Sequence, residues 1–97
     1  MVQFIIPFQV APVSLAEAIS VIEKFVKEVH ANESGTILYK SFQEIEHKTC
    51  FTHVMTFKDE RAHEIHRASP YLKIFVDALY PLCTVKPKNI SVNEILV

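Results

Sequence analysis

A chain of 97 residues with formal net charge −1 is sized for one domain, residues 1–97, and its ten Lys and Arg residues are scattered rather than striped, which removes the electrostatic footprint of a nucleic-acid binder. Hydrophobic residues make up 49% of the chain, enough for a core, yet no apolar run reaches membrane-spanning length and the opening residues lack the basic and small-residue features of a signal peptide. Cys50 and Cys83 form no Cys-x-x-Cys, the single glycine, Gly35, excludes a Gly-rich phosphate loop, and without an export signal both thiols are expected reduced, in the cytoplasm.

Residues 2–10 read as a strand, with Phe4, Ile6, Phe8 and Val10 on one face and Gln3 and Gln9 on the other. Pro7 cannot donate to a ladder and requires an edge or a bulge. Ser14 and Glu17 have the spacing of a capping box. Beyond them Leu15, Ala18, Ile19, Ile22, Phe25, Val26 and Val29 form one helical stripe, ending near His30. Residues 35–42 give a second strand and residues 49–57 a third, joined by a longer polar turn. On the third, Phe51, His53, Met55 and Phe57 share a face opposite Thr52, Val54 and Thr56.

Asp59 is positioned to cap a short helix running to Ala68, with Ala62 and Ile65 inward and His63 facing water beside Glu60 and Arg67. Ser69 caps the next helix, Pro70 occupies its first turn, and Leu72, Phe75, Val76 and Leu79 form its apolar stripe until Pro81 weakens it. A last strand fits residues 88–96, alternating Ile90 and Val92 with Ser91 and Asn93.

The order strand, helix, strand, strand, helix pair, strand is the split β-α-β-β-α-β unit: an α+β, ferredoxin-like fold with helices on one face of a four-stranded antiparallel sheet. The strands carry apolar side chains on both parities, so the uncovered sheet face would present an apolar patch. A second copy packed sheet to sheet covers it, which predicts a homodimer.

Glu33-Ser-Gly-Thr-Ile-Leu-Tyr39, the strand to Phe57, Lys58-Asp-Glu-Arg-Ala62, His66, Ala68-Ser-Pro70, Phe75 and Leu79-Tyr-Pro-Leu82 resemble the antibiotic biosynthesis monooxygenase (ABM) domain. That family has a Glu-x-Gly-(x)-x-x-Tyr segment, a strand ending in Glu-x-Trp, an acidic residue opening a helix, then His-x-x-Ser/Thr-Pro and a Phe-rich helix. The resemblance covers residues 2–96 and is most specific over 33–82. It implies a dimeric α+β barrel with a pocket between sheet and helices. It also implies one of several activities: cofactor-free oxygenation of quinols and polyphenols, small-molecule isomerisation, or haem degradation. The chain departs from the pattern at the strand end, where Met55-Thr56-Phe57 replaces Glu-x-Trp, removing a polar group from the pocket. There is no Trp anywhere, and the late-helix Trp and His of haem-degrading members are absent, so haem degradation is not implied.

His66 matches the family histidine and is the candidate base, because an imidazole near neutral pKa can take a phenol's proton and leave it electron-rich enough to reduce O₂. His53, among aromatics on its strand face, is the second catalytic candidate if that face meets the helices; the other placement is the dimer side. Tyr39, Met55, Phe57, Tyr71 and Phe75 are candidates for substrate binding. His30 and His47 read as surface residues at element ends. No carboxylate is evident as a partner for either candidate histidine, the pair lacks metal-ligand spacing, and no cofactor is called for. Two further readings stand beside the oxygenase: a non-catalytic ligand-binding or structural homodimer, and an isomerase of a small carbonyl metabolite.

Overall fold

The computed structural model describes all 97 residues. Its elements are β1 (Val2–Val10), α1 (Leu15–Asn32), β2 (Thr36–Gln43), β3 (Cys50–Phe57), α2 (Glu60–Arg67), α3 (Pro70–Leu79), β4 (Cys83–Val85) and β5 (Ile90–Val92), with short 3₁₀ turns at Pro12–Ser14 and Tyr80–Leu82. The sheet is antiparallel, in the order β2-β3-β1-β4, and β5 also pairs with β1. It therefore has five strands instead of four. The predicted C-terminal strand over 88–96 contracts to Ile90–Val92, and Cys83–Val85 supplies a strand that periodicity did not reveal, three residues being too few to display alternation.

One edge of β1 is shared. β4 pairs at Gln9 and Val10, and β5 at Gln3 to Ile5, leaving a gap between them. Pro7 falls in that gap. Its carbonyl accepts from the Lys88 backbone N–H at 3.3 Å, so its nitrogen looks toward the same edge, where no ladder donor is needed.

The strand registers put Phe8, Phe51, His53, Met55, Phe57 and Tyr39 on the helix-covered face, all buried. α1 packs onto that face through Ala18, Ile22, Phe25 and Val29, and α3 through Phe75 and Leu79. The Phe25 and Phe75 rings stack at 4.1 Å and fasten the two helices to each other. The opposite sheet face carries Ile5, Leu38, Phe42, Val54, Ile90 and Val92 and has no layer over it.

The helix ends differ from prediction in instructive ways. The Ser14–Glu17 capping box does not form: Ser14 lies in the 3₁₀ turn, outside the extended conformation a cap requires, and its side chain makes no cap bond. α1 continues past His30 to Asn32, whose side chain donates back to the Glu28 carbonyl at 2.7 Å. Asp59 caps α2 as predicted, accepting from the Ala62 N–H at 2.8 Å. Ser69 does not cap α3 through its side chain; its hydroxyl donates to the His66 carbonyl at 2.8 Å and ties off α2.

On α2 the buried positions are Ala62, His63 and His66, whereas Ile65 is 51% exposed. This reverses the predicted placement of Ile65 and His63. Three neighbouring helical positions can face inward, and the sheet side offers flat partners there: His63 lies 4.5 Å from Phe4 and 5.0 Å from Phe57. Gly35 permits this close seating of α2. A Cβ added at Gly35 would fall 2.7 Å from that of Ala62.

Candidate functional site

Glu33 follows the last turn of α1, where its N–H still bonds the Val29 carbonyl at 3.0 Å. Its side chain turns inward and is 2% exposed. Both carboxylate oxygens face His66 Nδ1, at 3.0 and 2.9 Å. Thr36 Oγ1 donates to one oxygen at 2.6 Å, and the Tyr71 hydroxyl donates to the other. A carboxylate with three donors from three elements is well satisfied despite its burial. An ionised carboxylate only accepts, so His66 carries its proton on Nδ1, and Nε2, which has no protein partner, holds the lone pair when the ring is neutral.

A second polar pair lies beside the first. The Tyr39 hydroxyl and His53 Nδ1 are 2.9 Å apart and buried. Burial pushes the Tyr39 pKa far up, helped by the negative charge of Glu33, and pushes that of His53 down to about 4, helped by His66. Tyr39 therefore remains a phenol and His53 a neutral imidazole. With Tyr39 donating to Nδ1, the His53 proton sits on Nε2, and that atom is buried with no hydrogen-bond partner. The reverse tautomer would strand the Tyr39 proton as well.

Both imidazoles line a cavity of about 210 Å³ between the sheet and α2–α3, together with Tyr39, Phe8, Met55 and Phe75. Arg67 and Asn89 also border it. Grooves of about 370 and 390 Å³ lie along α1, but their polar groups are solvated side chains such as Glu23, Lys24 and Lys27, and neither is lined by a histidine. Convergent buried polar groups in an aromatic cavity single out the smaller space.

Of the seven residues predicted for the site, His53, His66, Tyr39, Met55 and Phe75 border this cavity. Phe57 and Tyr71 do not. Phe57 is fully buried beneath the histidines, with its ring 5.1 Å from His66. Tyr71 opens onto the groove between α1 and α3, while its hydroxyl reaches Glu33 from behind. Burial and the bond to Glu33 push the Tyr71 pKa up to about 12.

Sequence reasoning missed Glu33, and with it the carboxylate that pairs with His66. The available signal was its place at the head of the Glu-x-Gly segment. It also missed His63, another cavity-lining residue, whose pKa is lowered chiefly by burial and then by Arg67. His30, exposed at the helix end, binds the Tyr39 carbonyl through Nε2 at 3.0 Å and so ties α1 to β2. No group of three or more His, Cys, Asp or Glu side chains is arranged to hold a metal ion, and no helix is long and apolar enough to cross a membrane.

Solved structures share the fold at low sequence identity. A protein of Bacteroides thetaiotaomicron VPI-5482, named as a candidate antibiotic biosynthesis monooxygenase, superimposes with TM-score 0.90 at 17% identity over 98% of this chain and 90% of its own. A conserved protein of Methanosarcina mazei Go1 gives 0.87 at 21% identity, covering 97% of this chain and 92% of its own. Rv0793 of Mycobacterium tuberculosis gives 0.87 at 14% identity, covering 99% and 96%. At these identities the likeness establishes the fold. No functionally curated protein matches the sequence significantly. A sequence model of one family does match, over residues 1–78: the chain belongs to the antibiotic biosynthesis monooxygenase family.

Proposed function

We propose that this protein is a cofactor-independent monooxygenase of a quinol or polyphenol-like aromatic, with His66 as the base. The Glu33–His66 pair carries this reading. The Glu33 carboxylate, held by Thr36 and Tyr71, fixes the imidazole orientation and stabilises the imidazolium that forms when Nε2 accepts a proton. The cavity suits the substrate in size, since a dry cavity of about 150 Å³ already admits benzene and this one is about 210 Å³. Its aromatic lining favours a flat ring over the polar carbonyl metabolite of an isomerase, and the buried, ordered acid–base pair favours chemistry over a purely structural dimer.

The reaction balances without an added reductant. Nε2 takes a hydroxyl proton from the quinol. The quinolate passes one electron to O₂, and the two radicals join through a new bond between a ring carbon and oxygen. His66 returns its proton to the distal peroxide oxygen. The O–O bond then breaks as the ring C–H proton leaves, giving a hydroxyquinone and water; the quinol has supplied all four electrons. Tyr39, Met55 and Phe75 bound the ring, and Phe57 and Tyr71 hold His66 and Glu33 from outside the cavity.

The working form is a homodimer joined through the uncovered sheet face, where Ile5, Leu38, Phe42 and Val54 cluster on adjacent strands.

Oxygen uptake with a panel of quinols and polyphenols tests the proposal. His66→Ala should lower kcat about a hundredfold or more. If no quinol is consumed, or the variant matches the wild type, the assignment fails.

A further inference from the structure

We propose that His53 is a fixed hydrogen-bond donor in the cavity, offering Nε2–H to an acceptor oxygen of the ligand. The ligand class is thereby narrowed to aromatics with a carbonyl or phenolic oxygen at the His53 end. This rests on taking the cavity as an aromatic ligand site, but not on oxygen chemistry or on His66.

Three observations converge. His53 is 1% exposed, and its Nε2 is the one buried side-chain nitrogen or oxygen atom in the protein without a partner. Such an orphan is costly to keep unless something occupies it part of the time. The Tyr39 phenol holds the other ring nitrogen at 2.9 Å, which selects the tautomer. Finally, the ring is immobilised by aromatic faces, with Phe75 near-parallel at 5.7 Å and Phe8 edge-on at 5.1 Å, so the N–H has a fixed direction before any ligand arrives. The low basicity of His53 agrees with a donor that does not trade its proton.

Two of the three imidazoles that line the cavity then have opposite character. His66 offers a lone pair and His53 a proton. A ring bearing an ionisable hydroxyl can face the first while a second oxygen accepts from the other. His53 is a positioning residue for that second oxygen rather than an additional base.

α-Tetralone and tetralin separate the two ends, because they share a bicyclic skeleton and differ by one carbonyl, with no ionisable hydroxyl for His66 to deprotonate. Calorimetric titration of the wild type should register both. His53→Phe should weaken α-tetralone about tenfold while tetralin stays within about threefold. Equal weakening of both, or no wild-type binding of either, overturns the proposal. Should His53→Phe fold poorly, nitrogen-15 NMR of the wild-type histidine rings decides. The expected result is the Nε2–H tautomer at neutral pH, with that signal moved by α-tetralone and not by tetralin. An Nδ1–H tautomer overturns it. Neither probe reports on O₂ or His66, so the oxygenase assignment and the donor assignment can fail separately.

Discussion

Glu33 and His66 stand 33 positions apart in the chain, yet both carboxylate oxygens lie within 3.0 Å of the imidazole Nδ1. Only the folding of α2 back over the α1–β2 turn brings them together. Glu33→Gln keeps the shape but places an amide N–H₂ among three donors, so one of them must lose its acceptor. The expected cost is about 1–3 kcal/mol, measurable by urea denaturation, together with a fall in kcat and a changed His66 ring signal in nitrogen-15 NMR. Glu33→Ala orphans Thr36, Tyr71 and His66 together and should cost more, about 3–5 kcal/mol.

Gly35 and Ala62 control the same contact from the backbone. Gly35 has no unusual backbone angle, so space alone explains its requirement. Gly35→Ala should push α2 outward and cost about 1–3 kcal/mol through overpacking. Combining it with Ala62→Gly should recover part of the loss, giving a coupling of about 1 kcal/mol or more in a double-mutant cycle. Additive effects would mean that the turn yields without moving α2.

His53 makes the fold sensitive to acid. Its folded pKa of about 4 lies below the ordinary value of 6.5, so between those values the unfolded chain binds the extra proton and stability falls as pH falls. Going from about pH 7 to about pH 4 should remove up to about 3 kcal/mol. His63, also lowered, acts in the same direction. His53→Gln should flatten the acid limb of stability measured by urea unfolding at several pH values; an unchanged slope would assign it elsewhere.

The uncovered sheet face gives a prediction about assembly. Val54 pairs with Ile5 on one side and Lys40 on the other, near the middle of that face and away from the helices. Light scattering should give a dimer mass for the wild type and a monomer mass for Val54→Lys, with the far-UV spectrum unchanged. A monomeric wild type would remove the dimer.

Alternation along β1 and β3 and the apolar stripe of α1 were legible because they obey periods of 2 and 3.6, which each segment carries by itself. The Asp59 cap was legible for the same reason, being a bond across three residues. The α2 face was not. Its mean pattern is polar, and Ile65 was the obvious inward residue by hydrophobicity alone. Which residues turned inward depended on Phe4, Phe57 and Glu33, each contributed by a distant part of the chain.

The sequence by itself determined the α+β order of elements, the shared strand face of Phe51, His53, Met55 and Phe57, and the family pattern that singled out His66; which sheet face met the helices was decided by the tertiary structure. It could not assign ring protons or partners. Those followed from the tertiary structure, which set a carboxylate against one imidazole and a phenol against another. The physical reason is range: periodicity and capping are decided within a few residues, whereas the state of a buried histidine is decided by whatever donors and acceptors the fold brings within about 3 Å of it.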